Sequence, residues 1–204
     1  MYRELNITKV FEGHFMSFHG KNGKISRNEK FSYLYLPILF SVFLGIFCPL
    51  DDGLKNIVSV CISILIGLLF NLLILVLTNI NTEKFINHSN SDRLTRVTLI
   101  KETFYNVCFS VIISIVTLIN LFLIDVLKFS TSFNDFLFII FEKNIDSYFQ
   151  TLLQIVLYFT FIQTFLVLFM IIKRIEKLFT VEIEQEIEKI KIEQKKELDQ
   201  WDDD

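Results

Sequence analysis

Histidine, cysteine, proline and glycine are all scarce, at three, three, two and six among 204 residues. No Ser/His/Asp order, HExxH, GxSxG or Gly-rich phosphate loop is present, so the groups from which hydrolases, metalloproteases and nucleotide-dependent enzymes are assembled are missing. His14 and His19 lie five apart, a spacing that does not place them on one helical face as a metal pair, and with His88 they read as structural. Cys48, Cys61 and Cys108 sit inside apolar segments without CxxC spacing and read as buried packing thiols. No metal and no cofactor is expected. A net charge of −3 leaves no basic surface for non-specific binding to duplex nucleic acid. The first thirty residues lack the short apolar core and small-residue cleavage site of a signal peptide.

What the chain has is apolar sequence in blocks. Hydrophobic residues make up 52% of it, 23 are Phe, and the mean hydropathy is +0.48. This reads as an all-α integral membrane protein. Four spans are expected, at about 31–50, 56–79, 103–127 and 147–172, forming one domain over 31–172. Residues 1–30 form a cytosolic or interfacial amphipathic segment, with Phe11, Phe15 and Phe18 repeating at helical spacing. Lys21-Asn22-Gly23-Lys24 is a turn signal. Residues 173–204 form a charged, helix-favouring cytosolic tail with Ile183, Ile187 and Ile190 on one edge.

Pro37 kinks or resets the first span near its start, and Pro49 with Asp51, Asp52 and Gly53 ends it. In the second span Ser59, Ser63, Gly67 and Asn71 are four apart, a small-residue row suited to a tight helix–helix seam. Asn90, Ser91 or Asp92 caps a stalk that runs without a break into the third span and carries Arg93, Arg96 and Lys101. Phe133, Leu137, Ile140 and Phe141 suggest a short interfacial helix before the fourth span. Lys and Arg crowd the segments before span one, between spans two and three, and after span four. The other side has only Lys55, Lys128 and Lys143. The positive-inside rule therefore places both termini in the cytosol.

The most informative stretch is 103–127. Asn106, Ser110, Ser114, Thr117 and Asn120 share one face at helical spacing, with Phe, Val, Ile and Leu on the others. On the fourth span Gln150, Gln154, Tyr158, Thr160 and Thr164 share a broad face, while Gln163 stands apart. Amides and hydroxyls at membrane depth need a partner helix or water. Both seams can be hydrogen-bonding glue inside the bundle. Alternatively, one lines a wet pore on the symmetry axis of a homo-oligomer, and that pore would lack a ring of fixed charge. Asp125 lies near a span end, where a proton relay is disfavoured.

Several features resemble small four-span membrane effectors of bacterial anti-phage defence islands. They are the aromatic start Phe11 to His19, the run Lys21 to Ser26, the aromatic Pro-containing first span, the run Gly67 to Leu73, and the basic stalk Arg93 to Phe104. The layout is most similar to the channel-forming effector of the Hailong system, and second to the membrane subunit of the Kiwa system. The first resemblance implies a tetrameric, anion-permeable channel in the bacterial inner membrane that arrests growth when open. It also implies a nucleotidyltransferase partner whose oligonucleotide holds the channel closed. The second implies a non-conducting sensor or scaffold that recruits a cytosolic partner protein. A ligand site is implied but not located. By charge its best positions are Arg93, Arg96 and Lys101, supported by Lys21, Lys24 and Arg27.

Overall fold

A computed structural model describes residues 7–17, 31–78, 90–129 and 145–202, and outside helices these include only Ser17 and Cys48 to Asp51. The helices are α1 (Ile7–Met16), α2 (Leu36–Phe47, entered through a π-helical turn, Phe31–Tyr35), α3 (Asp52–Thr78), α4 (Asn90–Phe129) and α5 (Ile145–Asp202).

Local sequence explains the breaks. Pro37 sits in the first turn of α2, where its missing N–H costs nothing, so the helix starts afresh after the π turn. Cys48 N–H closes α2 on Leu44 O at 2.8 Å, and Pro49 stops continuation. Asp51 then caps α3 by accepting Leu54 N–H at 2.8 Å, so this helix begins at Asp52, earlier than the expected 56.

Three helices, α3, α4 and α5, are long and apolar enough to cross a membrane. Residues 31–47 make a shorter apolar helix. Helix α4 runs unbroken through 40 residues and α5 through 58, about 60 and 85 Å at the α-helical rise. Both outrun a hydrocarbon core of about 30 Å. Their charged ends lie together as a two-helix stem, with Leu99 and Ile100 packed on Leu178, and Val76 of α3 closing the same cluster.

The bundle packs α4 on α5, α2 on α5 and α3 on α4. One core layer joins Val58 and Ile62 to Leu121, Ile124 and Leu157. A second joins Leu69 to Val107, Val111, Val167 and Ile171, and Val10 of α1 enters it too. In a bilayer these contacts contribute by dispersion and fit, since lipid tails are as apolar as the side chains. Gly45 lets α2 close onto α5, and a methyl group there would collide with Ile155. The outward faces of α2 and α3 are Phe40, Phe43, Ile57, Ile64 and Leu68, a covering suited to lipid.

Three expectations change. The Phe stripe of α1 is not its buried face: Phe11 and Phe15 stay exposed while their rings meet Phe109 edge-on, centroids 5.1 and 6.5 Å apart, and Val10 and His14 are the buried pair. Among the described residues the Ser59, Ser63, Gly67, Asn71 row makes no tight seam. Ser63, Gly67 and Asn71 face outward, and a Cβ on Gly67 would meet nothing within 4 Å. Cys48 and Cys61 are likewise exposed, and only Cys108 is half-buried. Phe18 and the interfacial helix expected around Phe133 to Phe141 lie outside the described residues.

Candidate functional site

The polar face of α4 points into the helix bundle. Asn106, Ser110, Ser114 and Thr117 are all 0% exposed, and so is Thr164 on α5. Asn120 and Tyr158 are also buried, while Gln150 and Gln154 are half-buried. The seam therefore runs between helices of one chain, not along its outer surface.

Hydrogen bonds divide these residues into two groups. Threonines satisfy themselves by back-bonding along their own helix: Thr117 to Ile113 O at 2.9 Å and Thr164 to Thr160 O at 2.9 Å. Asn120 Nδ2 donates across to Leu153 O at 3.1 Å, and Tyr158 OH to Cys48 O at 3.0 Å, so both hold helices together. A second group is left over. Asn106 Nδ2, Ser110 Oγ, Ser114 Oγ, Gln163 Oε1 and Arg174 Nη1 are buried with no hydrogen-bond partner among the described residues. Each such atom in a dry interior costs about 1–3 kcal/mol. Gln163, which its helical position sets apart from the other polar residues, thus belongs with them by burial.

At one end the seam is covered by α1. The His14 ring lies flat on Phe109, centroids 3.7 Å apart and planes 11° apart, and its Nδ1–H donates to Asn106 Oδ1 at 2.7 Å. Gly13 makes this approach possible, because a Cβ there would sit 2.5 Å from the Tyr105 ring. Arg174 secures the end of α1 through Nη2–H to Ser17 O at 2.7 Å, while its Nε lies 3.3 Å from Glu102 Oε2. Burial lowers the His14 pKa to about 4, with the Arg174 charge pushing the same way and the Asn106 bond opposing. The imidazole is therefore neutral at pH 7.

The opposite end carries charge. Lys55 of α3, itself buried, pairs with Asp125 of α4 and with Asp52 at 2.6 Å. Asp125 keeps half its side chain in the open, so it serves an ion pair near a span end. The spacing of Lys55 and Asp125, 70 residues apart, hid this pair from the sequence.

The six cations proposed for a ligand do not form one described cluster. Arg96 is buried in the stem, its Nε donating to Glu182 Oε1 at 3.1 Å. Lys101 is exposed beside a cavity of about 300 Å³ that also presents Lys9, Glu12 and Glu102, a balanced set of charges. Lys21, Lys24, Arg27 and the side chain of Arg93 lie outside the described residues. Among the described residues no three His, Cys, Asp or Glu side chains come together as metal ligands.

No protein family, curated protein or solved structure matches the chain.

Proposed function

We propose that this chain is a four-span channel effector of the bacterial inner membrane, with α2 as its short first span and both termini cytosolic. It passes ions along the buried seam when α1 leaves Asn106. The observation that carries this reading is the run of unmatched buried atoms at Asn106, Ser110, Ser114, Gln163 and Arg174. A bundle that needed only glue would pair them. A path that hydrates on opening needs them free for water. His14 at one end and Lys55 with Asp125 at the other close that path in the resting state.

Self-association, with a tetramer favoured, fits the outward small-residue row on α3. Anion preference fits Arg174 beside the seam. Growth arrest, an oligonucleotide ligand and its nucleotidyltransferase partner come from the resemblance to defence effectors.

A second reading has its own support. Beyond the Arg96–Glu182 contact α5 exposes Ile183, Ile187 and Ile190, a surface on which a non-conducting scaffold could hold a cytosolic partner protein.

Ion flux from liposomes carrying the purified chain tests the channel. Ser110→Ala with Ser114→Ala removes two unmatched hydroxyls at little cost in volume. Thermal stability should rise by about 1 kcal/mol or more, and the leak should fall severalfold. A more stable protein with an unchanged leak rules out this path. If neither wild type nor an α1-displacing variant leaks, the scaffold reading takes over.

A further inference from the structure

We infer that the covered end of the seam binds one small monovalent anion, of the halide class, between Asn106 of α4 and Arg174 of α5. The site needs the docked α1 and does not rest on conduction.

Two unmatched nitrogens belong to side chains that meet at the end of α1. Asn106, 0% exposed, leaves Nδ2 without a partner among the described residues, and Arg174, its side chain 11% exposed, leaves Nη1. One residue ties them together: Ser17 Oγ donates to Asn106 Oδ1 at 3.2 Å, and Ser17 O accepts from Arg174 Nη2 at 2.7 Å. About one turn along α4 from Asn106, the buried Ser110 Oγ is a third unmatched group. The threonines Thr103, Thr117 and Thr164 spend their hydroxyls on carbonyls of their own helices. Ser110 does not.

The donor chemistry selects the ligand. The amide and guanidinium nitrogens donate and cannot accept, and a serine hydroxyl can turn to donate. A water among them would accept from two, but its own protons would then need acceptors. Asn106 Oδ1 already takes bonds from His14 and Ser17. A halide accepts from all three groups and donates nothing. Charge agrees, because Arg174 repels a cation and His14 is neutral at pH 7. Glu102 stands at the Nε edge of Arg174, 3.3 Å away, and with 34% of its side chain exposed it is screened by water. Burial favours an ion of single charge, chloride or bromide over sulfate. Because the anion lies among groups that hold α1, and the site opens to water when α1 leaves, binding it strengthens docking.

The test is hydrogen exchange of residues 7–16 in the full chain in lipid nanodiscs at pH 7, with sodium chloride replacing sodium gluconate at fixed ionic strength. In wild type, going from about 1 to about 100 mM chloride should slow exchange about tenfold. Bromide should act alike. Asn106→Asp sets a fixed carboxylate oxygen where Nδ2 stood and should make exchange indifferent to chloride. Arg174→Lys keeps the charge but loses Nη1, and Ser110→Ala loses the hydroxyl. Each should need severalfold more chloride for the same protection. Lys173→Met removes the exposed charge next to Arg174 and should leave the chloride response as it is. Exchange that ignores chloride in wild type overturns the site and leaves water as the occupant. A response that sulfate reproduces is a general salt effect and overturns it too. So does a response unaltered in both Asn106→Asp and Ser110→Ala. Ion flux can persist without any chloride response of α1, and the response can persist in a chain that does not conduct, so the two proposals fail separately.

Discussion

At one end of the polar seam Lys55 reaches from α3 to Asp125 on α4; at the other, neutral His14 of α1 lies on Phe109 and donates to Asn106. The first contact joins two long helices of the bundle, and opening it means moving a whole span. The second is made by a ten-residue helix that contributes few apolar side chains to the core. The energetics differ as well. A half-exposed ion pair adds about 1 kcal/mol and weakens with salt. A buried imidazole with one bond and a stacked ring depends on staying uncharged. One end is a fixture, and the other is a part that can come away.

The largest effect should come from the close approach at Gly13. Gly13→Leu forces the Tyr105 ring aside, an overpacking cost of about 1–3 kcal/mol. Trypsin cleavage at Lys9 should accelerate about tenfold or more, and the liposome leak should rise with it. Cleavage at the wild-type rate would mean that α1 is not held by this contact.

Acid should act next. Undocked His14 titrates near 6.5 and docked His14 at about 4, so between these values the undocked state binds the extra proton. Docking is at full strength above pH 6.5, weakens as pH falls through the window, and is level again below about 4. The total loss is on the order of 3 kcal/mol. Hydrogen exchange of residues 7–16 should show this loss, and His14→Gln should abolish its pH dependence.

Lys55→Met sharpens the contrast at the other end. It should lower thermal stability by about 1 kcal/mol and leave the exchange of α1 unchanged. If it frees α1, the two ends are coupled and the comparison fails.

The smallest effect belongs to the stem. Arg96→Lys keeps a charge beside Glu182 but gives up the Nε bond, and should cost about 0.5–1 kcal/mol. Membrane insertion should not change.

That Asn106 to Asn120 would avoid lipid was legible, because a polar stripe in an apolar helix has few places to go; whether it would meet helices of its own chain or a pore on an oligomer axis was not. The unbroken entry of the stalk into α4 was legible from Leu94, Val97 and Ile100, which keep one apolar edge as far as the span. The docking of α1 was not. Its phenylalanines form the more obvious stripe and only edge onto Phe109, while the buried side chains are a valine and a histidine, and the half-buried Gly13 sets the fit against Tyr105. The Lys55 pair was hidden because ion pairing across a bundle leaves no local period. The small-residue row on α3 misled for a related reason: spacing shows that a helix can be approached closely, but not whether its own chain supplies the neighbour.

Helix α5 carries Thr164 and Gln163 at the seam, Arg174 at the α1 contact and Glu182 in the stem on one continuous rod. A rod without a hinge transmits torsion. Twisting the far tail by a modest angle would swing all four side chains together, so the α1 contact and the seam would feel a torque applied tens of ångströms away.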